Sequence, residues 1–311
     1  MSELILRTQE LTRRYGRTLA LDRASLSVEK GQILGLVGRN GAGKTTLIRL
    51  ISGQSRPTSG ELTLFGASSP AALDRARSRT GVMVETPAFY PYLTARQNLE
   101  YYRIQRGIPG RSCVDEALEL VRLTGAGKKK FKTFSLGMKQ RLGLALALMN
   151  QPELLLLDEP INGLDPEGIV ELRELLLRLN RERQTTILIS SHILSELSTL
   201  ATHYAFIDRG RILETVSAAD LRERCRDCLE LRVDDAARAA RVLEEQLGTR
   251  DFEVLPQARL RLYAFLDQPQ TVNRVLMEEG VGLISVQQRD SNLEDYFLSL
   301  IDGRSAGKEG A

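Results

Sequence analysis

Cysteine and histidine are scarce: 311 residues hold three of the first and two of the second. Cys113, Cys225 and Cys228 are too few for a disulfide framework. The spacing Cys225-Arg-Asp-Cys228 lacks the further ligands a structural zinc ion needs, and it closes the helix-like run ADLRERCRD. Two incidental helix-end thiols are therefore expected. Long apolar runs are also missing. The longest, Leu142–Met149 and Leu154–Leu157, suit a core and fall far short of the ~18 residues that cross a bilayer. The opening MSELILRTQE has neither a basic region nor a cleavable apolar segment. A soluble intracellular chain follows as the expectation, with any membrane role needing another chain to supply the spans. Excess charge of one sign is lacking too. Against 43 Lys and Arg stand 40 Asp and Glu, a net +3, so no nucleic-acid partner is expected. With 42% hydrophobic and 27% charged residues, the chain can bury a large core and is not intrinsically disordered.

Apolar strands alternating with amphipathic helices over residues 1–218 predict an α/β architecture with a mainly helical region at about 95–150. Strands are read at Leu4–Glu10, Ala24–Val28, Gln32–Val37, Gly81–Val84, Leu154–Leu157, Thr186–Ser190 and Tyr204–Asp208, the last turning at Arg209-Gly210 into Arg211–Glu214. Beyond, over 219–302, the order strand, helix, strand, strand, helix, strand and closing helix is the ferredoxin-like α+β pattern. Ser291 would cap that last helix, with Glu294 three residues on. This smaller domain carries no catalytic motif and reads as an accessory, either a ligand sensor or a dimer clamp. The tail 303–311, small and polar, is expected to be disordered. No internal repeat is present.

The chemistry lies in the larger part. Gly38-Arg39-Asn40-Gly41-Ala42-Gly43-Lys44-Thr45 follows a buried strand and opens a helix, the context that G-x-x-x-x-G-K-[ST] requires. Glycines at 38, 41 and 43 let backbone N–H groups turn inward around phosphate oxygens, and the helix start faces the same anion. Lys44 would reach the β- and γ-phosphates, while the Thr45 hydroxyl would ligate Mg²⁺. Asn40 and Thr46 complete the expected nucleotide contacts. ATP and Mg²⁺ are the cofactors implied.

A second buried strand, Leu154–Leu157, delivers Asp158 and Glu159 at its C-terminal end, the edge where ligands sit in open parallel sheets. Asp158 suits the Mg²⁺ shell, and Glu159 suits polarising an attacking water. A third strand ends in Ser191-His192, placing a histidine where it could sense the γ-phosphate. Ser135 in Phe134-Ser135-Leu136-Gly137-Met138-Lys139-Gln140-Arg141-Leu142 is a good helix N-cap and makes another anion-seeking helix end. Lys128-Lys129-Lys130-Phe131-Lys132 just before it reads as a solvated loop.

Taken in order, these segments resemble the nucleotide-binding subunits of ATP-binding-cassette (ABC) transporters, over about residues 4–215. Residues 134–142 look like the signature motif of that family, with Phe134, Leu136 and Met138 departing from it and Ser135 and Gly137 kept. The resemblance implies that Tyr15 stacks on adenine, that Asp165 in Gly163-Leu164-Asp165-Pro166 lies in the loop crossing a dimer interface, and that His192 is a switch histidine. It implies a P-loop ABC cassette, a mixed sheet core with a helical subdomain. It further implies an ATPase in which two cassettes, two copies or a copy and a homologue, pair head to tail. Each ATP would lie between Lys44 of one and Ser135 of the other. An integral-membrane subunit would dock near Phe89–Tyr92 and hold the chain on the cytoplasmic face of the membrane.

Where the family has a glutamine that contacts Mg²⁺, this chain has Glu85, followed by Thr86-Pro87-Ala88-Phe89-Tyr90-Pro91-Tyr92-Leu93-Thr94. A carboxylate there would hold Mg²⁺ at least as well, and it resembles the branch of bacitracin and lantibiotic exporters. Export of a peptide antibiotic, another drug or a lipid is the implied function. The alternative is a cassette acting on ribosomes or nucleic acid. That class joins two cassettes in one chain or carries a long heptad insertion, and neither feature is found here.

Overall fold

The computed structural model describes residues 3–84, 88–289, 296–298 and 300–301. Its chain divides into two compact units, Met1–Ala218 and Ala219–Ala311.

In the first unit the elements run β1 (Leu4–Tyr15), β2 (Thr18–Glu29), β3 (Ile33–Val37), α1 (Lys44–Ile51), β4 (Ser59–Leu64), α2 (Pro70–Arg77) and β5 (Thr80–Met83). Then come α3 (Ala95–Gln105), α4 (Ser112–Leu120), α5 (Leu136–Leu148), β6 (Leu154–Asp158), α6 (Pro166–Arg183), β7 (Thr186–Ser191), α7 (Leu194–Ser198), β8 (His203–Asp208) and β9 (Arg211–Ser217). The principal sheet has the order β5-β6-β7-β3-β8-β9, parallel except for β9. Strands β3, β6 and β7 are buried at every residue, as unbroken apolar runs flanked on both faces should be. An antiparallel sheet, β2-β1-β4, covers the other side of α1. Leu47, Ile48, Leu50 and Ile51 of α1 are buried in one cluster with Leu6, Leu11 and Leu26 of that sheet and with Leu34, Leu156 and Leu188 of the other.

That antiparallel sheet is the main departure from expectation. β4 is absent from the sequence reading, and β1 and β2 extend well beyond Leu4–Glu10 and Ala24–Val28. Repeated register shifts along β1, with Glu10 and Arg23 in left-handed conformations, break the apolar alternation that marks a strand. β4 opens on Ser59-Gly60, which look like turn residues, and only Leu62 and Leu64 of its six residues are buried.

The helical region is tied down by one residue. Asn98 on α3 is fully buried. Its Nδ2 donates to the carbonyls of Tyr90, Leu93 and Thr94 at 3.1, 3.4 and 3.0 Å, and its Oδ1 accepts from Tyr90 N at 2.8 Å. Thr94 caps α3 in a reciprocal pair with Gln97. The same loop pairs with the segment before α5, since Phe131 N donates to Leu93 O and Lys132 N to Pro91 O. Phe89, Phe131 and Phe134 are buried, and their rings follow one another at 5.1 and 5.8 Å. The lysines flanking Phe131 are exposed.

After α8 (Ala218–Arg224) the second unit runs β10 (Cys228–Val233), α9 (Ala236–Glu245), β11 (Phe252–Leu255), β12 (Arg259–Leu262), α10 (Pro269–Glu278) and β13 (Leu283–Arg289). Its sheet is antiparallel, in the order β11-β12-β10-β13. The two helices bury Ala239, Leu243, Val272 and Leu276 with Leu229, Leu231, Leu260 and Leu262 of the sheet. The thiols are not a pair at a helix end: Cys228 is buried at the start of β10, and Cys225 precedes it in the connection. Burial pushes both thiols upward in pKa, which makes them poor nucleophiles. Residues 296–298 and 300–301 of the expected closing helix are helical, whereas Ser291, Glu294 and the tail lie outside the described residues.

Because Asn98→Ala removes four hydrogen bonds at once, including the acceptor of Tyr90 N, it is expected to destabilise the chain by about 2–3 kcal/mol in urea unfolding. A change below about 0.5 kcal/mol, typical of an indifferent surface site, would contradict the clamp.

Candidate nucleotide site

Strand order decides which ends meet. Parallel neighbours β6, β7 and β3 bring Asp158-Glu159, Ser190-Ser191-His192 and the loop Gly38–Gly43 to one edge of the sheet. The register pairs Asp158 with Ser190 and Val37 with Ser191. The edge is therefore built by pairing before any side chain acts.

The loop has two demanding glycines. Gly43, at φ 112, occupies a backbone region that disfavours side chains, and it turns the loop into α1. Gly38 serves packing: a Cβ there would lie 2.5 Å from the carbonyl oxygen of Ile207 on β8. Gly38 is thus constrained by its neighbour strand, in addition to its place in the loop. Asn40 and Gly41 are exposed at the loop tip, and Thr46 is half-buried in the first turn of α1. Lys44 is buried at 5% exposure. Its Nζ donates to Gly38 O at 2.6 Å and Arg39 O at 3.2 Å, and it lies 3.1 Å from Glu159 Oε1.

Asp158, 6% exposed, uses both oxygens. Thr45 Oγ1 donates to Oδ2 at 2.7 Å and Ser190 Oγ donates to Oδ1 at 2.7 Å. The same Ser190 oxygen accepts from Glu159 N at 2.9 Å. Glu159 sits at φ 48, a conformation uncommon for a residue with a side chain. Strain held by surrounding bonds is characteristic of residues that must point one way. Its Oε2 is 2.8 Å from His192 Nδ1. A carboxylate only accepts, so Nδ1 carries the proton and Nε2 is left to face outward. Ser191 braces the turn before His192, accepting from Ile193 N at 2.9 Å and lying 3.1 Å from Glu196. Burial pushes the Glu196 carboxyl up, and the Ser191 hydroxyl works against that shift.

Whether this edge fits Mg²⁺ can be judged from its donors. A hydroxyl and a buried carboxylate already 2.7 Å apart are two hard oxygens on one side of a small ion. Mg²⁺ usually takes one or two protein oxygens and fills its octahedron with water and phosphate. No cluster of three acidic, His or Cys side chains occurs among the described residues.

Other expected residues stand apart from this network. Tyr15 ends β1, 43% exposed, its ring covered on one face by the Arg13 guanidinium at 4.4 Å. The Ser55 hydroxyl, and then Arg13, hold its phenol below the usual range. Ser135 caps α5, with Met138 N donating to its Oγ at 3.3 Å, and Gly137 lies beside Leu164. Asp165 caps α6 by accepting from Gly168 N at 3.1 Å. Neither cap reaches the Lys44–Asp158–Glu159 bonds. Glu85 lies outside the described residues. Ser190 was not foreseen; the available sign was a hydroxyl ending an otherwise apolar strand next in the sheet to Asp158.

A phosphate loop closing β3, with an acidic pair ending β6, defines a P-loop nucleoside triphosphatase. A model of the ABC transporter family matches residues 21–162. The bacitracin transport ATP-binding protein BcrA of Bacillus licheniformis is 43% identical over 97% of this chain and 99% of that protein. The lantibiotic transport ATP-binding protein SrtF of Streptococcus pyogenes is 40% identical over 67% of this chain and 89% of that one. Among solved structures, an ATP-binding subunit of an ABC transporter superposes with a TM-score of 0.63 and 27% identity, covering 71% of this chain and 92% of that one. A dimeric cassette bound to ADP and phosphate gives 0.63 at 23% identity, over 69% and 99%, and shows the shared fold. The chain belongs to the ATP-binding subunits of ABC transporters and is an ATPase of that type. No helix among the described residues is long and apolar enough to cross a membrane.

Ser190→Ala removes the bridge that fixes Asp158 and the Glu159 backbone together. The steady-state ATPase rate is expected to fall by about 10–100-fold, the scale of a lost orienting contact. A rate within twofold of the parent would show that Ser190 only fills space.

Proposed function

We propose that this chain powers export of a peptide antibiotic through a separate membrane-spanning subunit, on the cytoplasmic face of the membrane. The observation that carries the proposal is the 43% and 42% identity to two bacitracin transport ATP-binding proteins over 97% of this chain. Such coverage takes in the second unit. The lantibiotic relative, aligned over 67%, matches a shorter part.

The geometry supports a definite division of labour. An arriving triphosphate offers Lys44 a better partner than Glu159, because it carries more charge and more acceptor oxygens than one carboxylate. Thr45 and Asp158 would hold Mg²⁺, which, when bound, neutralises charge on the β- and γ-phosphates. Release of Lys44 leaves Glu159 Oε1 without its cation and able to accept a proton from water. His192 keeps Oε2 oriented through Nδ1–H and presents Nε2 toward the γ-phosphate. From its place in the sequence alone, Glu85 would add a third carboxylate to this set. Tyr15 would receive adenine on the ring face that Arg13 does not cover.

A second cassette would close the site. Ser135 and Gly137, at the N-terminus of α5, suit the γ-phosphate bound by the partner, and Asp165 keeps the intervening loop in place. The membrane subunit has a suitable landing surface in Tyr90, Tyr92 and Tyr101, which are 45, 70 and 41% exposed. Exposed tyrosines beside Ile104, at 64%, form the kind of amphipathic patch that receives a short helix. For the second unit, strand order β11-β12-β10-β13 with both helices in one cluster supports a ferredoxin-like accessory domain.

Glu159→Gln tests the reading. With the proposed membrane-spanning subunit co-expressed in a sensitive bacterium, the variant is expected to abolish bacitracin resistance. Phosphate release should fall by about 10²–10⁴-fold while ATP stays bound. Unchanged resistance with the parent chain against its absence would refute peptide-antibiotic export, and near-parental hydrolysis would remove Glu159 from its role.

A further inference from the structure

Ser135 sits at the end of a helix that is thinly supported along one side. Between α4, α5 and α6 a cleft of about 740 Å³ opens, floored by Leu144, Leu172, Leu175 and Leu179. Apolar side chains that do not meet across a space contribute little dispersion attraction, so packing there does not fix how α5 lies against α6. Polar contacts bridge the cleft instead. Glu171 of α6 receives Arg141 of α5 on Oε2 at 2.6 Å and Arg122, which follows α4, on Oε1 at 2.5 Å. Arg122 reaches it from a left-handed backbone, at φ 56. Nearer the cap, Gln140 Nε2 donates to Asn162 O at 3.2 Å, and Leu136 lies over Gly163. Leu136, Gln140 and Arg141 all fall in the first two turns of α5, directly behind Ser135.

We propose that Glu171 is a positioning residue: through Arg141 and Arg122 it sets the angle of α5 and so the aim of Ser135 at the triphosphate of the partner cassette. The proposal rests on the reading that Ser135 seals that partner site. An exposed ion pair would be too weak for the task. Here the Glu171 and Arg141 side chains are only 18% and 28% exposed, so that pair is the stronger arm; Arg122, 65% exposed, is the weaker one, and the shared carboxylate keeps the two guanidinium groups from repelling one another. Loss of that charge leaves two cations facing across a space that no packing closes, and the helix end swings away from its target.

The full-length chain carrying Glu159→Gln is titrated with Mg-ATP, and dimer is followed by sedimentation. Binding of a fluorescent ATP analogue to dilute monomer is measured in parallel. Adding Glu171→Gln is expected to raise the ATP concentration for half-maximal dimer about tenfold, the effect of one charge-assisted contact. Monomer affinity should stay within about twofold, because Lys44, Thr45 and Asp158 are untouched. Exchanging the charges of the whole cluster, with Arg122→Glu, Arg141→Glu and Glu171→Arg together, should regain most of the loss. Dimerisation of the Glu171→Gln chain at the parental ATP concentration overturns the proposal, as does a charge exchange no better than the single change. Equal weakening of monomer binding would also overturn it, since Glu171 would then be a general support of the fold. A Glu159→Gln parent that binds the analogue yet stays monomeric at saturating ATP would defeat the sealing role of Ser135 itself, and this proposal with it.

Discussion

One carboxylate organises the site. Asp158 accepts from Thr45 on one oxygen and from Ser190 on the other, and so ties the ends of β6 and β7 to the first turn of α1 at 2.7 Å each. Buried at 6% exposure, it tolerates neither the loss of a partner nor a slip of register. Every other feature of the edge depends on that tie. The Ser190 oxygen also fixes the backbone of Glu159, whose left-handed conformation turns its carboxylate between Lys44 and His192.

The fold exists to hold this knot. Apolar strands buried on both faces allow no register error, because a shift by one residue would carry Asp158 away from Ser190. α1 is fixed between two sheets, so Lys44 and Thr45 cannot move independently of the strands. The helical region obeys a looser rule. Beside its packing, it is secured by particular polar residues, Asn98 within the aromatic loop and Glu171 across a cleft. A rigid chemical edge joined to a more adjustable arm suits the proposed closing of the site by a second cassette.

The chemistry was more legible in the sequence than the architecture. Gly38–Thr45, Asp158-Glu159 and His192 are contiguous strings whose residue types are dictated by phosphate and metal, and each lies at the strand edge where it was expected. The antiparallel sheet was hidden because bulges in β1 and β2 scramble the alternation that reveals strands, and β4 begins with turn residues. Ser190 escaped notice for a different reason: its importance is a matter of register with Asp158, which no local string records. Gly38 fitted its motif, but its tightest constraint is the Ile207 carbonyl, a contact from a strand about 170 residues away along the chain. The Arg122–Glu171–Arg141 cluster likewise draws on three separate segments.

The central claim is that Lys44 exchanges Glu159 for the phosphates of a bound nucleotide. Calorimetric titration of Mg-ATP into the full-length chain and into its Lys44→Ala variant tests it most directly. The account predicts saturable binding by the parent and affinity weakened about 100-fold or more without the lysine, as befits a buried charge-assisted contact to phosphate. Equal affinity in the two chains would contradict it, and would mean that the Lys44–Glu159 pair only holds the strands together.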